Sequence, residues 1–150
     1  MIYKKQFTNK RPLITDAIRE IFKYIIFPEF YTVKDLQNNE YVFLKTNETA
    51  IDSLELVKDK TQTEAFENHV HIFGKTKRTE QEKVLEATRL IIDNLTKNLK
   101  INFPNKKFHV YLDCDFFDHV IIRFHQHWKD ELPYYNVREF PNIEEYTIGM

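Results

Sequence analysis

The sequence is short of the residues from which many cofactor and catalytic motifs are built. It has two glycines in 150 residues, Gly74 and Gly149. A Walker loop, a dinucleotide fingerprint and a nucleophile elbow each need several, so all three are excluded. A single cysteine, Cys114, allows no intrachain disulfide and fits a reducing compartment, so a cytoplasmic location is expected. An excess of one charge is also missing. Basic and acidic residues number 22 and 23, for a formal charge of −1. Proteins that grip a nucleic-acid backbone usually show a strong basic excess, so nucleic acid is not the expected partner. No apolar run approaches the roughly 20 residues that span a bilayer. The most apolar stretch, Ile21 to Phe27, is interrupted by Lys23 and stopped by Pro28. The N-terminus, Met1-Ile2-Tyr3-Lys4-Lys5, has no apolar segment behind its basic residues, so neither a secretory signal nor a membrane role is expected.

What is present is enough for one core. Leu, Ile, Val and Phe together make up 47 residues, roughly a third of the chain, well above the level at which chains stay disordered. No repeat, low-complexity run or Pro/Gly/Ser-rich linker divides the sequence, so residues 1–150 read as a single domain.

The spacing of apolar residues predicts a helix over Pro12–Phe27, with Leu13, Ile14, Ala17, Ile18, Ile21, Phe22, Ile25 and Ile26 on one face. A hairpin of Phe30–Lys34 and Tyr41–Thr46 follows, turned by Asn38-Asn39. Residues 47–67 are ambiguous; a helix capped by Asn47 or Thr49 and carrying Ala50, Ile51, Leu54 and Val57 is preferred to a strand. His69–Phe73 reads as a strand ended by Gly74. Thr79-Glu80-Gln81-Glu82 has the form of a capping box for a helix to about Lys100. That helix is expected to bury Val84, Leu85, Thr88, Ile91, Ile92, Leu95 and Leu99. Phe108–Asp113 and His119–Trp128 alternate as strands, and Tyr134–Arg138 suggests a short edge strand. The class is therefore α+β: a mostly antiparallel sheet with a C-terminal β-α-β-β unit, an N-terminal helix and β-hairpin, and two main amphipathic helices.

Strand parity sorts the histidines. Side chains alternate faces with period two. With Val70, Ile72, Phe108, Val110, Leu112, Val120, Ile122, Phe124 and Trp128 toward the core, all six histidines fall on the opposite side. The candidate binding face is His69, His71, His109, Tyr111, Asp113, His119, Arg123, His125 and His127. The two sets share a face only if paired residues of the last hairpin sum to an even number, 232 or 234. Three readings apply. A half-buried antiparallel sheet wets its second face, and histidine is a tolerable residue there. A zinc or iron site would use His69, His71, His109 and His125, since His-x-His projects two imidazoles the same way. His, Arg and Tyr together would suit acid–base cleavage of RNA.

Cys114 lies among Asp113, Asp115 and Asp118, whose charge opposes a thiolate, so it is expected to be an incidental turn residue. Lys75-Thr76-Lys77-Arg78 is a short basic loop before a helix: a phosphate contact or, more commonly, a solvated connection. Of the adjacent aromatics Phe116-Phe117 and Tyr134-Tyr135, at least one of each pair should be exposed or cover an edge.

These features favour a small cytoplasmic binding protein without chemistry or cofactor of its own, an immunity- or antitoxin-type inhibitor of a partner protein. From Asp130 onward five acidic residues stand against Arg138 alone, which suits a basic partner. The alternative is a metal-dependent or histidine-based hydrolase, a nuclease among them, using the same face.

Overall fold

The computed structural model describes residues 21–46, 50–55 and 57–150. The expected helix over 12–27 falls largely outside them; its described end, Ile21–Ile26, is a single wide π-type turn. Strands β1 (Phe30–Lys34) and β2 (Glu40–Leu44) form an antiparallel hairpin. Asp35 organises its turn by accepting from the Gln37 and Asn39 amides at 2.9 Å, and Asn38 takes the left-handed conformation with φ 66° that asparagine tolerates. Helix α1 (Lys60–Glu67), strand β3 (His69–Phe73), helix α2 (Gln81–Asn102) and strands β4 (Phe108–Asp115), β5 (His119–Gln126) and β6 (Ile143–Ile148) complete the chain. The second sheet has the order β3-β5-β4-β6, antiparallel at every pairing. The architecture is α+β. Among the described residues no helix is long and apolar enough to cross a membrane.

Several local expectations are corrected. Residues 50–55 make no helix; Leu54 instead forms a lone bridge to Asp35. The helix of this region begins later, at Lys60, because Asp59 supplies the cap, accepting from the Gln62 amide at 2.8 Å. The Asn47 and Thr49 caps lie outside the described residues. Thr79 does not close a capping box. A 3₁₀ turn, Arg78–Glu80, runs into α2, and Glu80 at its N-cap makes no side-chain cap bond. The segment 134–138 is not a strand; the edge of β4 is taken by β6.

The main core lies between α2 and the even-numbered face of the sheet. Val110, Leu112, Val120, Ile122 and Phe124 are buried with Ile92, Leu95 and Leu99, and Leu85 packs at the margin. Asn94 fixes the π-type turn against α2 by donating to the carbonyls of Ile25 and Ile26 at 3.0 and 2.6 Å. A smaller cluster of Val33, Tyr41 and Phe43 packs beside Ile51, Leu54, Val57 and Trp128.

Helix α1 joins the two sheets through polar side chains. Glu64 and Asn68, four residues apart, act as substitute strand partners. Glu64 accepts from the Val42 amide (2.8 Å), and Asn68 accepts from Leu44 (2.8 Å) and donates to the Val42 carbonyl (2.8 Å). On the other side the Gln126 amide donates to Glu64 (2.7 Å) and the Phe124 amide to the Asn68 carbonyl (3.3 Å). The amides that would otherwise be orphans on two strand edges are thus satisfied in the interior.

Candidate functional site

The β4–β5 register settles how the histidines meet. Val110 pairs with Phe124 and His109 with His125, the sum of 234, so the odd-numbered sets of both strands share one face. β3 joins with His69 opposite Arg123 and His71 opposite Ile121. His69 and His71 lie 5.3 Å apart, ring to ring; His109 and His125 stack at 4.9 Å. Arg123 pairs with His69 on one side and with Tyr111 on the other, one strand nearer the second couple. Among the described residues no three His, Cys, Asp or Glu side chains form a group able to hold a metal.

The face is covered, which parity cannot reveal. His109, Tyr111, Arg123 and His125 are buried, and Asp113, His69 and His119 half-buried; His71 and His127 are exposed. Residues 128–142 cross this face. The Tyr134 amide donates to His125 Nε2 (3.2 Å), the Tyr135 hydroxyl donates to Asp113 (3.0 Å), and Tyr135 meets Tyr111 edge-on at 5.1 Å. The Arg123 guanidinium lies 4.6 Å from the Tyr134 ring centre and donates from Nη1 to the Ala65 carbonyl at 2.5 Å, while its Nε has no hydrogen-bond partner among the described residues. Aromatic faces and the C-terminal end of α1 stand in for a carboxylate here.

Hydrogen-bond logic fixes the proton positions. His125 Nδ1 is 2.6 Å from the Gln126 carbonyl, which only accepts, so Nδ1 carries the proton. Nε2 then accepts from the Tyr134 amide and the Tyr111 hydroxyl, each at 3.2 Å. Burial pushes this imidazole down to about 4, which keeps it neutral. His109 Nδ1 likewise donates to Glu145 at 2.6 Å, and His109 Nε2 meets His127 Nδ1 at 2.9 Å. A carboxylate–imidazole–imidazole chain results, ending at the exposed His127. His119 donates to Asp118 (3.0 Å) and Asp113 (3.1 Å); these carboxylates, Asp118 foremost, hold its pKa above the ordinary value. Cys114 does not lie in the turn as expected but in β4, paired with Val120 and packed against the core. Burial first, then Asp113, Glu144 and Asp115, push its thiol up to about 11, away from a reactive thiolate.

The neutral His125 sets a pH dependence. The unfolded imidazole takes its proton near 6.5 and the folded one near 4, so stability is lost as pH falls between those values, by up to about 3 kcal/mol. Urea unfolding at pH 7 and near pH 4 should show this slope diminished in His125→Gln relative to the wild type. An unchanged difference between the two proteins would mean that His125 is not held neutral.

The acidic C-terminal segment does not present the open field expected for a basic partner. Glu131 accepts from the Lys60 and Thr61 amides at the start of α1, and Asp130 pairs with Lys60 at 2.8 Å. Glu144 pairs with Arg89, and Glu145 with His109. Four of the five carboxylates are engaged internally. Glu64 and Asn68 went unmarked in the sequence because nothing distinguishes a buried glutamate on a short helix from a solvated one. No protein-family model, curated protein or solved structure matches this chain.

Proposed function

We propose that the chain is a small binding protein without chemistry of its own, of the immunity or antitoxin kind that neutralises a partner enzyme in the cytoplasm. The observation that supports this best is the condition of its reactive side chains. His125 is buried and neutral, Cys114 and Tyr111 are pushed away from their ionised forms, and Glu64 is enclosed by its donors. Catalytic acids and bases need both access to substrate and a pKa near the working pH. A large apolar side chain, by contrast, stands open: Phe117 at the β4–β5 turn is 83% exposed, the type of residue that anchors interfaces. The test is purification of the tagged chain from its own cells, with each protein that co-elutes in fixed stoichiometry assayed for activity with and without it. A stoichiometric complex that silences its partner is expected. A partner left fully active contradicts the inhibitor reading.

One observation favours a second reading, a histidine-based hydrolase: the Glu145–His109–His127 chain ends in an imidazole exposed at the surface. Cleavage of RNA or of an activated ester by the pure chain, abolished in His127→Gln, would establish that reading in place of the first.

A further inference from the structure

We infer that the cleft between the basic loop 75–78 and the β4–β5 turn is the partner-docking site, and that it takes an acidic segment of a partner protein carrying an apolar side chain. The inference deepens the binding reading above and rests on it. The cleft encloses about 730 Å³, with Lys75, Lys77 and Arg78 on one wall and Phe116 and Phe117 on the other. The fold fixes the position of one wall against the other, since the Thr76 amide donates to the Phe116 carbonyl at 2.9 Å. Elsewhere many cations are engaged: Lys45, Lys60, Arg89, Lys97 and Lys106 all pair with carboxylates. Lys75, Lys77 and Arg78 make no ion pair among the described residues and are exposed. Three unpaired cations within four residues, facing an open phenylalanine, complement a negative segment with an apolar anchor.

Backbone chemistry separates a peptide from a nucleic acid. Asp115 lines the same cleft, with one oxygen accepting from the Phe117 amide at 3.0 Å. Its carboxylate repels any anion threaded past the turn, but it can accept from the N–H that each peptide bond of a protein segment offers and a phosphodiester backbone lacks. Among the described residues no cation besides Lys75, Lys77 and Arg78 lines the cleft, and the net charge of the chain is −1.

The experiment is fluorescence anisotropy with a labelled peptide of Asp and Glu around one Phe, its Lys-for-acid counterpart, and a labelled oligouridylate. The acidic peptide should bind, weaken with salt, and lose about tenfold or more in affinity when Lys75, Lys77 and Arg78 are all changed to Glu. Phe117→Ser should weaken it separately. Thermal melting of both variants should match the wild type, because the altered side chains are exposed. Equal binding by the charge-reversed chain, preference for the Lys peptide, or tighter binding of the oligouridylate would each overturn the proposal. The two readings fail separately. A co-eluting partner that the charge-reversed variant still holds removes the cleft and leaves the inhibitor. Acidic-peptide binding with no partner silenced removes the inhibitor and leaves the cleft.

Discussion

Replacing Glu64 with alanine should cost about 3–5 kcal/mol, the range for breaking a buried, fully hydrogen-bonded charged group. Glu64 has no solvent exposure. Its oxygens accept from the amides of Val42 (2.8 Å) and Gln126 (2.7 Å), from Gln126 Nε2 (2.5 Å) and from Trp128 Nε1 (3.1 Å). Alanine leaves all four N–H groups facing a cavity at the junction of α1, β2 and β5. Set against a typical domain stability of about 5–15 kcal/mol, that loss consumes much of the margin. Glu64→Gln tests the mechanism: it preserves volume and one acceptor but turns the other into an NH2 group that opposes two donors. A smaller loss than alanine's is expected, because two of the four bonds remain. Chemical denaturation of the three proteins measures this, and an alanine variant within about half a kcal/mol of wild type would mean that the junction is held otherwise. Burial pushes the Glu64 carboxyl up to about 7, with its donors resisting. The stability contributed by this proton is therefore present below the ordinary value near 4.5 and is lost as pH rises through 7. This runs opposite to His125, so the pH profile of the whole protein is flatter than that of either group.

Phe124→Ala should cost a comparable ~3–5 kcal/mol by a different route, the loss of a filled core position. The ring is buried and meets Phe30 and Phe108 edge-on, with centroids 6.1 and 6.3 Å away. It therefore holds the β1–β2 hairpin to the four-stranded sheet. The two substitutions are near each other along the α1–β5 contact, so their effects should not add; a double-variant cycle would show coupling. Loss of less than about 1 kcal/mol in Phe124→Ala would place the hairpin off this core.

Helix α2 was legible because its apolar stripe repeats over six turns and a single face satisfies it. The β4–β5 hairpin was legible for a related reason: alternation left only even register sums, and the Asp115–Asp118 turn selects 234. The limits are equally physical. Alternation marks one face as apolar and leaves the other to be read as wet, yet here Tyr134, Tyr135 and Arg123 bury it by cation–π and hydrogen-bonded contacts that depend on a distant segment folding back. β6 escaped notice because Ile143 and Ile148 are its only buried residues and its pairing to β4 is non-local. Tyr134–Arg138 has strand-like composition, but its rings are used on the sheet face rather than its backbone on the edge. The carboxylates after Asp130 formed a correct count and a misleading field, since pairing with Lys60, Arg89 and His109 is invisible to a tally of charges.

The fold closes the centre of the histidine face, burying His109 and His125 beneath the segment 128–142. Carbethoxylation of the native protein, read residue by residue by mass spectrometry, tests it most directly. His71 and His127, which are exposed, should react readily, while His109 and His125 should react only when the chain is unfolded. Modification of His109 and His125 in the native state at rates matching His71 and His127 would show the face to be open and contradict the account.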